Sequence, residues 1–308
     1  MDVALFVGFV RRRPGTSVPA ALSRYLFEQG WMTAPTLRVD PNDPQAPLTD
    51  VPLPFESFAA FERIFDWRAR AGTAPDEFTA LGAAVQAFFV QGGRKCYVVR
   101  MADPLTSGAE RATRLGRLNL LLPGSRVPAP PGMEHPASAV DRTTWHGAAH
   151  LFGLQDVCFL CLPDLPELVA DAPEPLPIPR LPPAGATGFV ECATHGAATG
   201  SEWKTPERAA PRCGLTAYLD WAAFLAVVAE LLRDRRLRET HLVAALPLPS
   251  TSLVFDTSAG KRAATQDLGA FIHASGVLTP LPERVHPARL SVAEDRVLGG
   301  TSGAVGGP

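Results

Sequence analysis

Cys158 and Cys161 form a C-x-x-C, and Cys192 with His195 forms a C-x-x-H further along the chain, so four residues have the types and spacing of a zinc site or redox centre. Against that chemistry, Cys158 and Cys161 fall inside an apolar run that reads as a strand, where positions three apart point to opposite faces and cannot share a metal without a bulge. The plainer reading is two core cysteines acting as small hydrophobes. His146 and His150 have the spacing of the metalloprotease H-E-x-x-H, but Gly147 stands where the general-base Glu belongs, which leaves a pair of partly exposed helix histidines. Gly260-Lys261-Arg262 lacks the upstream glycine and the following Ser or Thr of a phosphate-binding loop. Ser302 sits in a glycine-rich tail and not on a strand-to-helix elbow. Asp164 and Glu167 have the chemistry of an acid/base pair, but sequence gives no distance between them. No catalytic constellation emerges, and the expectation is a protein that is not an enzyme and holds no cofactor.

Composition points the same way. The 308 residues suffice for one or two domains with a sizeable core. Lys and Arg number 29 against 31 Asp and Glu, with no long basic stripe, so nucleic acid is not expected as a partner. Hydrophobic residues make up 46% and charged residues only 19%, too apolar for a disordered chain and light in surface charge, which implies that other subunits cover part of the surface. No run reaches the roughly 20 apolar residues of a membrane span, and the apolar start precedes its basic residues, the reverse of a secretory leader. Five cysteines in a chain this long suit a reducing cytoplasm.

The 31 prolines, about twice the usual share, collect in 40–54, 123–136 and 173–186, which read as extended connections, and the tail from Gly299 has no apolar period. Between them the elements alternate. Residues 3–10 are a β-rich apolar run. Phe55, Phe58, Phe61, Ile64 and Phe65 place a helix over 55–66, and Phe78, Leu81, Val85, Phe88 and Phe89 place another over 76–91, stopped by Gly92 and Gly93. Residues 95–101 form a buried strand. A Thr-capped helix over 143–153 precedes a strand over 156–165, and a long helix over 218–235 presents Leu219, Phe224, Leu225, Val228, Leu231 and Leu232 before a strand over 241–248. The fold class expected is α/β to α+β, a mixed sheet flanked by helices. It divides into a first strand and helix region at 1–32, a connection at 33–54, a core at 55–172, a loop at 173–212, a returning helix–strand part at 213–298 and a tail at 299–308.

Four of these segments resemble the contractile phage tail sheath family. LGAAVQAFFVQGGRKCYVVRM (81–101) looks like that family's helix, double glycine and strand, "AV..FF.NGG..CYVVRV"; VALFVGFVRRRPG (3–15) is similar to its "AFVGFTERGP" strand, and PFESFAAFERIFD (54–66) to its "TSWEEFERIFG" helix. GLQDVCFLCLPDL (153–165) looks like the later "LDDVAIVCVPD". The likeness covers 3–165 and, more faintly, 218–248. On the residues themselves, Phe88 and Phe89 end a helix, Gly92 and Gly93 let it turn, and Cys96, Tyr97 and Arg100 lie in the strand that follows.

The resemblance implies a tail-sheath-like core and a subunit of a contractile injection system, assembled in hexameric rings or a helical lattice around an inner tube. The implied partners are other sheath subunits, the tube protein and baseplate or cap proteins. Assembly would be cytoplasmic, in a virion or a released particle. The chain departs from the pattern at both ends, without the "PGVYVEE" arm before its first strand or the "YPW" and "PPSG" segments after residue 250, which suggests a shortened protein that caps, initiates or decorates a lattice or forms a ring without contracting, or a baseplate adaptor. Arg11, Arg12, Arg13, Arg94 and Lys95 are the cations offered for ionic contacts with neighbours.

Overall fold

The computed structural model describes residues 3–31, 48–68, 78–106, 108–171, 211–234, 237, 239–258 and 260–278. At its centre lies β1 (Val3–Phe9), seven residues buried without exception. A run that is apolar at every position suits a strand with partners on both edges and layers on both faces, and β1 has both. It pairs in parallel with β5 (Lys95–Ala102), Val3 opposite Lys95 through Val7 opposite Val99, and on its other side with β6 (Phe159–Cys161), Leu5 opposite Leu160. β3 (Pro52–Phe55) adds an antiparallel edge beyond β5, and β8 (His241–Val243) a parallel edge beyond β6, giving the order β3-β5-β1-β6-β8. The mixed sheet flanked by helices is therefore the observed fold.

Alternation along β1 feeds two cores. Ala4 and Phe6 join Leu53, Cys96 and Val98 beneath α1 (Ala20–Glu28), α2 (Phe58–Ile64) and α3 (Ala80–Val90). Val3, Leu5, Val7 and Phe9 face the opposite layer, built from α4 (Arg111–Gly116), α5 (Leu118–Leu121), a 3-10 segment at Gly147–Gly153, α6 (Leu165–Val169) and α7 (Leu215–Leu232). A hairpin of β10 (Val254–Thr257) and β11 (Gly260–Ala263) and the helix α8 (Leu268–Ser275) extend that second layer, with Phe271 edge-on to Tyr218. The remaining two-residue strands pair locally, β2 (Arg11–Arg12) with β4 (Phe65–Asp66) and β7 (Arg212–Cys213) with β9 (Leu248–Pro249).

The α3-to-β5 turn follows from its residues. The Thr79 hydroxyl caps the helix by accepting from the Gly82 amide at 3.1 Å. At the other end the Gly93 amide donates to Phe88 O and the Gly92 amide to Phe89 O, the paired bonds of a Schellman stop. Gly92 takes φ +93°, which L side chains avoid, while a Cβ on Gly93 would stand 2.3 Å from the Phe88 ring.

Several boundaries differ from those the sequence suggests. Phe55 is the last residue of β3, paired with Cys96, so α2 begins only after Ser57, whose hydroxyl caps it. Pro52 and Pro54 thus lie in an edge strand, where a missing amide is tolerated. Phe78 precedes α3 and stacks on Trp67 instead. The helix expected over 143–153 is two 3-10 segments, the first capped by Asp141 and not by a Thr. The strand over 156–165 shrinks to three residues because Leu165 opens α6, and that over 241–248 stops at Val243. The prolines at 173–186 and the tail from Gly299 lie outside the described residues. The divisions at 1–32, 55–172 and 213–298 all give strands to one sheet.

One contact locks its centre. The Phe9 amide donates to Asp164 Oδ2 at 2.8 Å across 155 residues, and a Cβ on Gly8 would lie 2.0 Å from that same oxygen. Gly8→Ala is expected to destabilise the fold by about 2–4 kcal/mol, from overpacking plus loss of a buried charge-assisted bond. In urea titrations, adding Asp164→Ala should cost clearly less in the Gly8→Ala background than in the wild type, because the clash is gone; additive losses would contradict this contact.

Candidate interaction surface

Four parallel strands taken in chain order, β1, β5, β6 and β8, lie in the spatial order second, first, third, fourth, so the topology reverses between β1 and β6. In open α/β sheets, ligands enter the crevice at the carboxyl ends of the strands at such a point. Here the protein fills it. Asp164 accepts the Phe9 amide, Arg117 lies over the Phe9 ring at 5.1 Å, and the cavity left among Phe9, Leu105, Arg114, Arg117, Asp164 and Glu167 measures about 10 Å³, room for roughly one water. Asp164 and Glu167 thus do share a place, but one closed to a substrate. Burial lowers the basicity of Arg114 and Arg117, partly countered by Glu167 beside the first and Asp103 beside the second.

The opposite situation holds over β6 and β8 on the α3 side. Phe159, Cys161 and Val243 point to that face while Leu160 and Leu242 point to the other core. Helix α3 covers β1, but no described helix covers β6 and β8 there. The result is a groove of about 560 Å³ lined by Ala4, Phe88, Arg94, Phe159, Cys161 and Val243 together with the Gln91–Gly93 turn. Val243 is 51% exposed. Beside it runs the edge of β8, which pairs with no further strand among the described residues, whereas the far edge of the sheet, β3, carries Pro52 and Pro54. One edge is blunted by proline and the other is open among the described residues.

The residues singled out from sequence divide by use. Arg12 Nη1 donates to Ile64 O at 3.0 Å, Arg13 Nε to Glu62 O at 3.0 Å, and Lys95 Nζ to Asp156 at 2.7 Å and Tyr97 at 2.8 Å. These three hold the chain's own turns and strand ends. Arg11 and Arg94 are exposed, and Arg94 makes no ion pair or hydrogen bond with the described residues. Arg100 is buried, its guanidinium bound to Val10 O, Thr49 and Asp103, so it staples the ends of β1 and β5. Cys96 and Tyr97 are buried, and Phe88 and Phe89 half-buried.

Cys161 lies on the groove face. Cys158 continues the ladder, its amide donating to Val3 O and its carbonyl accepting from His241, so alternation turns it to the other face. Cys192 and His195 lie outside the described residues, and among those described no group of three or more His, Cys, Asp and Glu is placed to hold a metal. The histidines need correction. His150 is buried, and its Nε2 meets Asp50 Oδ1 at 3.0 Å while His146 Nδ1 meets Asp50 Oδ2 at 2.6 Å. The Gly147 amide also donates to Asp50 Oδ1. Each imidazole takes a different oxygen, so the cluster ties the loop before β3 to the 3-10 segment and is not the partly exposed helix pair that the spacing suggests. Nothing local announces Asp50, which lies 96 and 100 residues away.

Compared with known proteins, the chain matches no family model, no curated protein and no solved structure.

Burial pushes the Cys161 and Cys213 thiols up to about 12, Cys213 also through the neighbouring Asp171, and raises Cys96 and Tyr25 as well. These groups keep their protons in the folded chain and lose them in the unfolded chain near ordinary values of about 8.5 for Cys and 10 for Tyr. The folded state therefore binds more protons above about pH 8.5, and stability falls as pH rises. The urea midpoint should hold from pH 7 to 8 and decline through pH 11, less steeply in Cys213→Ala; a flat profile would contradict the burial of these groups.

Proposed function

We propose that this chain is a structural subunit, a sheath-like building block that stands beside copies of itself or its relatives in a contractile injection apparatus. The observation that carries the reading is a sheet that the described residues cover on only half of one side: an apolar face over β6 and β8, next to a strand edge that no described strand pairs, in a fold whose usual ligand crevice is closed by its own side chains. An apolar face of this size in water favours protein burial, and an open edge offers backbone groups for a further strand. The α3–Gly92–Gly93–β5 unit, where the resemblance to tail sheath proteins is strongest, forms one wall of that groove.

On this reading the partners are other sheath subunits in hexameric rings, the inner tube protein and a baseplate or cap component, with assembly in the cytoplasm. Cys158 and Cys161 face opposite sides of the sheet, which supports the structural class over a zinc or redox enzyme built on that C-x-x-C. The purified chain mixed with sheath and tube proteins and imaged by electron microscopy should give rings, tubes or decorated sheath ends. Free monomers under every condition would overturn the proposal.

A further inference from the structure

Among the described residues one helix, Leu215–Leu232, is long and apolar enough to cross a membrane by length and composition, yet 39% of it is buried in the protein. Its inner side carries Tyr218, Trp221, Phe224, Leu225 and Val228 into the core. A surface helix ordinarily turns a charged face outward. Helix α7 turns out Leu215 (48% exposed), Leu219 (50% exposed), Ala223 and the half-buried Val227, at intervals of one helical turn, beside the exposed Thr216 and the half-buried Asp220, whose carboxylate pairs with Arg111 and Arg126, and the stripe ends at the exposed Glu230.

This stripe lies in one layer of the sandwich and the groove over β6 and β8 in the other. Each is an apolar surface lacking what the other has. The groove is concave, with Arg94 as its one charged lining residue, unpaired among the described residues; the stripe is a convex helix face that ends in a carboxylate. Glu230 pairs with Arg233 on its own helix, but both are more than half exposed, and such a pair contributes little and is readily shared.

We infer that the groove of one copy receives the outer face of α7 from a second copy, Leu219 and Val227 packing against Phe159 and Val243 while Glu230 pairs with Arg94. This names the neighbour-facing surfaces of the subunit proposed above and rests on that reading. Because the two surfaces differ and face opposite ways, the contact is head-to-tail. Repeated, it closes a ring or grows a helical stack, unlike a two-fold contact, which stops at a dimer.

A charge swap tests it. Arg94 and Glu230 are both exposed, so reversing them should leave the fold intact, checked by circular dichroism. In sedimentation runs over a concentration series, Arg94→Glu and Glu230→Arg should each weaken self-association about tenfold or more by opposing like charges, and the double variant should restore it. Single variants that associate like wild type, or a double variant that is not rescued while wild type still forms oligomers, would overturn this contact and leave the subunit reading standing. A wild type that remains monomeric even with sheath and tube proteins present would overturn both. Binding of wild type to anionic lipid vesicles that Leu219→Asp abolishes would assign the stripe to a membrane and overturn the contact.

Discussion

The structure depends on one strand having neighbours on both sides. Val3–Phe9 is paired along its length to β5 and at its middle to β6, so its side chains alternate between two cores and its far end must be sealed. Asp164 does the sealing by taking the Phe9 amide, and it fits only because residue 8 has no side chain. Remove that fit and the two halves of the sheet lose the contact that fixes their register at the carboxyl ends.

The same contact bears on function. An open α/β sheet has one natural opening for a small molecule, where the strand order reverses, and this protein closes it with a carboxylate, an aromatic ring and a guanidinium. Among the described residues, apolar surface left unburied lies elsewhere, over β6 and β8 and along the outer side of α7. Such surface is a liability for a solitary protein in water and a resource for one that lives in an assembly. The low charge content, 19% of residues, belongs to the same economy.

Legibility in the sequence followed how local the signal was. The first strand is readable because seven consecutive apolar residues leave little alternative in a short run, and the end of α3 because Gly92 and Gly93 each satisfy a backbone requirement within a few residues, whereas the helix starts at Ala80 behind the Thr79 cap and not at residue 76. Phe55, Phe58 and Phe61 fit helical spacing, and only the pairing of Phe55 with Cys96 decides for a strand. The inner face of α7 was unreadable for a different reason. With apolar residues all round, periodicity carries no phase, and Leu219, which pattern alone turns inward, is half exposed while Ala217 and Trp221 are buried. Asp50 with its two histidines, and Asp164 with Gly8, join residues about 100 and 155 apart, so no window of sequence contains them. The groove is legible only once the sheet order is known, since it exists because the chain places α6 and α7 on one side of β6 and β8.

On the reading proposed above, protein covers the open half of the sheet when the molecule works. In β8 the His241 amide is bonded to Cys158 O and the parallel register turns the Leu242 amide away from β6, while the Arg94 amide lies beyond the bonded Gly92–Gly93 turn. Amide hydrogen exchange followed from dilute to concentrated protein should be fast at Leu242 and Arg94 when dilute and should slow at both together as concentration rises, while buried β1 stays protected throughout. Exchange at these two amides that is equally fast at every concentration, or slow already in the isolated chain, would contradict this reading.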